Sequence, residues 1–198
     1  MAAEDAIRFW DKQAPTFDDE PDHGLRSPNV RDAWRTLLLD ALPVPPATVA
    51  DLGCGTGSVT TLLAECGYTM TGIDASAAMI DAAKIKAAAA DVAVTLHTGD
   101  ASMPDLAAES LDAVVVRHVV WALPDPEAAI RRWFECLRAG GVAVMIEGRW
   151  STGTGIRAEE LRALVSTIAS GVEVTPLVDP SLWGRNITDE RYLLRAVH

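Results

Sequence analysis

Basic residues are scarce in this chain of 198 residues, which has 17 lysines and arginines against 28 aspartates and glutamates. The formal net charge of −11 leaves no basic stripe of the kind that holds a polyanion. The close basic pairs, Lys84 with Lys86 and Arg131 with Arg132, fall in predicted helices and are interpreted as solvated helix faces. We therefore predict neither a nucleic acid nor an anionic membrane as a partner.

Cysteine is also rare, and no CxxC spacing occurs among Cys54, Cys66 and Cys136. This pattern predicts neither a disulfide framework nor a zinc site, and no other cluster of metal ligands is evident. No apolar run approaches the ~18 residues that a membrane-spanning helix needs. The first residues, MAAEDAIRFWDKQAP, lack the basic and apolar regions of a signal peptide. The expectation is a cytoplasmic protein that forms a single domain and binds no metal.

Helical and strand-like segments divide the chain into an N-terminal cap, residues 1–46, and an α/β core, residues 47–198. The core begins with five short apolar runs, which alternate with helix-like runs. The strand-like runs are TVADL, TMTGID, VAVTLH, LDAVVVR and GVAVMIEG. This alternation predicts a doubly wound, mostly parallel sheet. Two further strand-like runs, GVEVTPLV and ERYLLRAV, have no helix between them and predict a closing antiparallel hairpin.

A glycine-rich turn follows the first predicted strand, in VADLGCGTGSVTTLLAECGYTMTGIDAS, residues 49–76. A strand, a glycine turn and a helix form a ligand site at the carboxyl end of a parallel sheet. The spacing G-C-G-T-G is one residue tighter than the dinucleotide fingerprint G-x-G-x-x-G. Asp51, two residues before the first glycine, would oppose a pyrophosphate and would suit an ammonium group.

Two more acids end the next predicted strands. Asp74 stands where a carboxylate accepts both ribose hydroxyls, and Asp100 stands where a side chain meets the adenine edge. Three acids at successive strand ends, without a phosphate-binding cation, describe a ligand with adenosyl, amino-acid and positively charged parts. That ligand is S-adenosylmethionine.

The segments VADLGCGTG, GIDASAAMIDAAK, TGDASMP, LDAVVVRHVVWALPDP and LRAGGVAVMIEG cover residues 49–147. They resemble the class I (Rossmann-like) S-adenosylmethionine-dependent methyltransferases, in the small-molecule branch that includes the ubiquinone/menaquinone-type enzymes. The resemblance implies methyl transfer by in-line displacement to nitrogen, oxygen or carbon of a small molecule. It also implies S-adenosylhomocysteine as the product.

The resemblance further implies which residues touch the cofactor. They are Phe17, Asp51, Gly53, Cys54, Gly55, Gly57, Asp74, Ala75, Met79, Asp100, Ala101, Arg117 and His118. Many relatives have a small or neutral residue where Arg117 stands. Its role stays open between binding a substrate carboxylate and forming an internal ion pair.

His118, at a strand end, and His23, in the cap, are the candidate general bases, with backbone hydrogen bonding or a solvated loop as the alternative readings. Trp10, Trp121 and Trp150, together with Arg117, are the candidate substrate contacts. A tryptophan-lined pocket would suit an aromatic or a cationic acceptor, whereas ordinary lid packing is the alternative.

Three other functions remain open. An NAD(P)-dependent oxidoreductase is disfavoured by the glycine spacing and by Asp51. A non-catalytic regulatory protein would bind S-adenosylmethionine without turnover, and a protein methyltransferase would present an open acidic face. The identity of the acceptor and the oligomeric state do not follow from the sequence.

Overall fold

A seven-stranded sheet forms the centre of the protein in a computed structural model that describes residues 3–198. The strands are β1 (Thr48–Leu52), β2 (Thr69–Asp74), β3 (Thr95–Thr98), β4 (Leu111–Arg117), β5 (Leu137–Arg149), β6 (Gly171–Pro176) and β7 (Glu190–Val197). Their order is β3-β2-β1-β4-β5-β7-β6. Strands β1 to β5 pair in parallel, and β7 runs antiparallel to both β5 and β6. The predicted sheet and its closing hairpin are confirmed.

Helices cover both faces of this sheet. They are α1 (Ala3–Gln13), α2 (Pro21–Gly24), α3 (Pro28–Ala41), α4 (Ser58–Glu65), α5 (Ala77–Ala89), α6 (Pro126–Cys136), α7 (Ala158–Val165) and α8 (Pro180–Trp183). Because neighbouring strand residues point to opposite faces, Val49 and Ala50 of β1 enter separate apolar clusters. One cluster includes residues of α3, α4 and α8, and the other includes residues of α6 and α7. Burial on both faces explains the nearly continuous apolar sequence of β4.

Two short helices, α2 and α8, each begin at a proline, and α8 lies between β6 and β7, where the sequence predicts no helix. Pro21 and Pro180 each stand at the first position of a helix, where the missing N–H leaves no hydrogen bond unmade. Proline therefore starts these helices instead of interrupting them. Strand β3 also begins later than predicted, at Thr95 instead of Val92.

Polar contacts from three acids, Asp11, Asp18 and Glu20, help to attach the N-terminal cap to the core. Asp11 of α1 accepts hydrogen bonds at the start of α5, from Ser76 Oγ at 2.5 Å and from the Ala78 backbone N–H at 3.3 Å. Asp18 accepts one from Thr56 Oγ1 at 2.5 Å. Glu20 pairs with Arg185, which follows α8, at 3.3 Å. The cap thus bridges the glycine turn and the C-terminal hairpin.

The interpretation of Lys86 as a solvated surface residue is wrong. Its Nζ lies 2.8 Å from an Asp18 carboxylate oxygen, 3.0 Å from Thr56 Oγ1 and 2.5 Å from Ser58 Oγ. Burial lowers the pKa of Lys86, and the hydrogen bond to Asp18 partly offsets this shift. Lys86 therefore ties the cap to the first turn of α4.

Candidate active site

A cavity of about 920 Å³ opens at the carboxyl ends of β1, β2 and β4, between the cap and the β6–β7 connection. Sixteen of the seventeen residues predicted for the site line it. They are Trp10, Phe17, His23, Asp51, Gly53, Cys54, Gly55, Asp74, Ala75, Met79, Asp100, Ala101, Arg117, His118, Trp121 and Trp150. The seventeenth predicted residue, Gly57, does not line the cavity.

The glycine turn has left-handed backbone at three positions, with φ of 74° at Gly53, 54° at Gly55 and 72° at Gly57. A Cβ on Gly53 would overlap Val119, in the loop after β4. A Cβ on Gly57 would lie 2.8 Å from the Cβ of Ala83. Gly53 thus keeps the floor of the cavity open, whereas Gly57 allows α4 and α5 to approach each other.

Asp74 supports the glycine turn and also faces the cavity. Its two carboxylate oxygens accept hydrogen bonds from the backbone N–H groups of Gly55 and Ser76, each at 2.9 Å. Burial raises the pKa of Asp74, and these two bonds partly offset the shift. Each oxygen keeps a second lone pair, so the carboxylate can still accept hydrogen bonds from a pair of vicinal hydroxyls.

Asp51 is the most buried acid on the cavity wall, with an exposed fraction of 2%. It accepts a hydrogen bond from Thr60 Oγ1 at 2.6 Å. Burial raises the pKa of Asp51 to about 6, against the smaller opposing effect of that hydrogen bond. A cationic ligand group beside this carboxylate would favour its ionised form.

The opposite end of the cavity is apolar with one exposed acid. Met79 is buried at the start of α5, and the carbonyl of Ala101 accepts a hydrogen bond from Trp133 Nε1 at 2.7 Å. The Asp100 carboxylate accepts hydrogen bonds from the backbone N–H and the hydroxyl of Ser102. One carboxylate can accept from an ammonium group, another can accept from ribose hydroxyls, and an apolar slot lies beside them. This set of groups fits S-adenosylmethionine.

Aromatic side chains of the cap cover the glycine turn. Phe17 stacks on His23, with ring centroids 4.3 Å apart and an interplanar angle of 14°, and Trp10 meets Phe17 edge-on. A Cβ on Gly55 would lie 3.3 Å from the Phe17 ring. Burial lowers the pKa of His23, with Arg117 as the second cause.

His118 has an unusual backbone, with φ of 60° directly after β4. Its N–H donates to the carbonyl of Ile146, and its own carbonyl accepts from Trp121 Nε1 at 2.9 Å. Its ring Nδ1 is buried and has no hydrogen-bond partner among residues 3–198. Burial, followed by the charge of Arg117, holds the pKa of His118 well below 6.5, so the imidazole is neutral at pH 7.

Trp183 and Arg191, in the C-terminal hairpin, complete the wall around His118, and the sequence did not predict them as site residues. Trp183 tilts toward the His118 ring at 6.3 Å, and Trp150 meets that ring edge-on at 5.2 Å. The guanidinium of Arg191 lies over Trp150 and over Trp183, at 5.1 and 5.4 Å from the ring centroids. The available signal was the presence of six tryptophans against three phenylalanines and two tyrosines. The contact between Trp150, Trp183 and Arg191 could not be predicted, because these residues are far apart in the sequence.

Comparison with known proteins adds a family to this geometry. Residues 50–145, which begin within β1 and include the glycine turn and most of β5, match the family described as "Methyltransferase domain". The match supports the resemblance to the class I S-adenosylmethionine-dependent methyltransferases. The predicted recognition is confirmed by this match.

Two curated relatives of this chain come from Xanthomonas. The ubiquinone biosynthesis O-methyltransferases of Xanthomonas campestris pv. campestris (strain B100) and Xanthomonas oryzae pv. oryzae (strain PXO99A) are 31% and 33% identical over 139 residues. The match covers 69% of this chain and 54% of each relative. The chain thus spans about half the length of these proteins.

Solved structures share the fold of this chain at low identity. The cyclase SpnF has a TM-score of 0.73 at 19% identity, covering 84% of this chain and 80% of its own. Magnesium protoporphyrin IX methyltransferase of Synechocystis PCC 6803, solved with bound S-adenosylmethionine, has a TM-score of 0.68 at 19% identity. That match covers 85% of this chain and 77% of the other. At such identity these structures support the fold alone.

No helix within residues 3–198 combines the length and apolar content needed to cross a lipid bilayer. Within the same range, no group of three or more His, Cys, Asp or Glu side chains is arranged to hold a metal ion.

Glu147, on β5, is fully buried and supports the loop that carries Val119. Its Oε1 accepts hydrogen bonds from the backbone N–H groups of Val119 and Val120, at 2.8 and 2.7 Å. Its Oε2 is buried without a partner in the described part of the chain. Burial raises the pKa of Glu147 to about 8, so the group is mostly protonated at pH 7.

We expect Glu147→Gln to become more stable relative to the wild type as pH rises. The folded pKa lies above the unfolded one, so Glu147 contributes its full stability at low pH and loses it as pH rises toward about 8. Over that window the difference should change by at most ~1.4 kcal/mol per pH unit. Urea unfolding of both proteins at several pH values measures it, and a difference independent of pH would contradict the assignment.

Proposed function

We propose that this protein transfers the methyl group of S-adenosylmethionine to a nucleophilic oxygen, nitrogen or carbon atom of a small aromatic molecule. The observation that carries the proposal is the continuity of the cavity. The carboxylates Asp51 and Asp74 line one part of it, and His118, Trp121 and Trp150 line the adjoining part. One volume therefore holds groups suited to the cofactor beside groups suited to a flat acceptor.

The residues divide by role along the cavity. Asp51 would hold the ammonium group of the cofactor, Asp74 the ribose hydroxyls, and Met79 with Ala75 the adenine. When bound, S-adenosylmethionine supplies an activated methyl group on a sulfonium. The chain's contribution is then mainly alignment, which can account for ~7–11 kcal/mol of a barrier.

His118 is the better placed of the two candidate bases. It is neutral at pH 7, and its ring lines the cavity beside Trp150 and Trp183. His23 stacks on Phe17 and has the Asp22 carboxylate 3.7 Å from its Nε2. A phenolic hydroxyl on the acceptor could donate to His118 and lose its proton there during transfer. An O-methyl product agrees with the names of the Xanthomonas relatives.

The cap closes the site in this proposal. Phe17 and Trp10 cover the glycine turn, and the Asp18–Lys86 and Glu20–Arg185 pairs hold the cap from two sides. A closed cavity excludes water from the methyl donor and favours a small acceptor over a protein.

The three cysteines are free thiols, which agrees with the proposed cytoplasmic location.

Calorimetric titration of the purified protein with S-adenosylmethionine, S-adenosylhomocysteine and NADH tests the cofactor. We expect micromolar binding of the two adenosyl ligands and none of NADH. Release of S-adenosylhomocysteine in the presence of small phenols and aromatic amines then tests turnover. Binding of NADH alone would overturn the proposal, and adenosyl binding without turnover on any acceptor would favour a regulatory protein.

A further inference from the structure

Arg117 is a cation on the cavity wall without a carboxylate partner. No carboxylate oxygen among residues 3–198 lies within 4.0 Å of its guanidinium. One of its five N–H donors is used by a described group, the backbone carbonyl of Asp22. Its guanidinium also lies over the ring of Trp34, at 5.1 Å from the centroid.

The other two arginines on the cavity wall are paired. Arg191 lies 3.1 Å from a carboxylate oxygen of Asp189, and Arg185 lies 3.3 Å from one of Glu20. The chain has a net charge of −11, so carboxylates are not scarce. Burial lowers the pKa of Arg117, and the carboxylates of Asp22, Asp51 and Asp18, which lie beyond 4.0 Å, offset this shift only in part. A desolvated cation whose counter-charge is incomplete is costly. Arg117 thus resembles a group whose counter-charge comes with a ligand.

The surroundings of Arg117 belong to the aromatic part of the cavity. Trp34 beneath it packs edge-on against Trp183, at 5.6 Å, and Trp183 tilts toward His118. Arg191 beside this ring is paired with Asp189, so Arg117 is the guanidinium next to His118 that has no carboxylate within 4.0 Å in the described chain. Such a guanidinium opposes a cationic group placed against it and favours an anionic one.

We propose that the methyl acceptor is a planar aromatic acid whose carboxylate is bound by Arg117, between His118 and the tryptophan wall. This inference rests on the proposed function and adds the charge of the acceptor to it. A guanidinium binds a carboxylate through two parallel hydrogen bonds, which fixes the ring and thereby directs its nucleophile. The cationic acceptor left open by the sequence is not proposed.

The carboxylate of the cofactor's methionine part is the competing source of the same chemistry. Arg117 also lies close enough to Asp51 for each to influence the other's pKa. 5′-Methylthioadenosine lacks the amino acid, so it separates the two sources. If Arg117 held the cofactor, Arg117→Gln would weaken S-adenosylhomocysteine binding but not methylthioadenosine binding.

The test uses 4-hydroxybenzoate and its neutral isostere 4-hydroxybenzamide, titrated into protein saturated with S-adenosylhomocysteine. We expect the acid to bind at least about tenfold more tightly than the amide. Arg117→Gln should remove this preference, and Arg117→Lys should retain part of it. The matched control is Arg149→Gln, because Arg149 also donates to a backbone carbonyl, that of Gly155, but does not line the cavity.

Several results would overturn the inference. For the wild type, these are equal binding of the two probes and binding of neither probe. For Arg117→Gln, they are an unchanged preference for the acid and a loss of S-adenosylhomocysteine binding while methylthioadenosine binding is retained. Failure of the proposed function looks different, since the wild type would then bind no adenosyl ligand or transfer no methyl group. If Arg117→Gln does not fold, a preference for the acid that is reduced in Arg117→Lys supports the inference, and an unchanged preference overturns it.

Discussion

Asp74→Ala is expected to weaken S-adenosylhomocysteine binding by roughly a hundred-fold, or about 2–3 kcal/mol, because two hydrogen bonds between a carboxylate and ribose hydroxyls are lost. The substitution also removes the acceptors of the Gly55 and Ser76 backbone N–H groups, which shape the glycine turn. Calorimetry with S-adenosylhomocysteine and with 5′-methylthioadenosine measures the loss. Both ligands contain the ribose, so both should weaken equally.

The control for Asp74→Ala is Asp81→Ala, which removes an exposed carboxylate from α5. It should leave both affinities unchanged. Thermal unfolding of the two variants shows whether the loss reflects the ligand or the turn itself. Unchanged affinity in a folded Asp74→Ala protein would refute the assignment of Asp74 to the ribose.

His118→Ala is expected to lower turnover ~10²–10⁴-fold if the acceptor loses a proton during transfer. Cofactor affinity should change far less, because His118 is proposed to serve the acceptor. The measurement is the rate of S-adenosylhomocysteine release with the acceptor identified by the phenol and amine panel. Calorimetry on the same variant gives the affinity.

His97→Ala is the matched control for His118→Ala. His97 is exposed on the edge strand β3 and does not line the cavity. It should retain wild-type turnover. His118→Gln keeps a hydrogen-bonding side chain without a base, so full activity in that variant would make His118 a binding residue. Parallel loss of turnover and cofactor affinity in His118→Ala would lead to the same conclusion.

The core of the fold could be predicted because its signals are local. The glycines of the turn need left-handed backbone, and their spacing after β1 is readable without coordinates. The alternation of apolar strands and helices likewise predicts the parallel sheet. Asp51 and Asp74 follow from the same logic, since parallel strands bring their carboxyl ends to one edge.

The acceptor side of the cavity could be predicted less completely, because its contacts join distant parts of the chain. Arg191 stacks on Trp150 and Trp183 only because β7 runs back beside β5, and nothing in either segment alone encodes that pairing. The burial of Lys86 depends in the same way on Asp18, 68 residues earlier. Charge alone favoured a solvated lysine.

The attachments of the cap are divided between the two parts of the cavity. Asp11 and Asp18 fasten the cap beside the cofactor part. On the acceptor part, Glu20 pairs with Arg185, and the carbonyl of Asp22 accepts a hydrogen bond from Arg117. The short segment from Asp11 to Asp22 therefore contacts both parts of the cavity, and a change in its position would alter both.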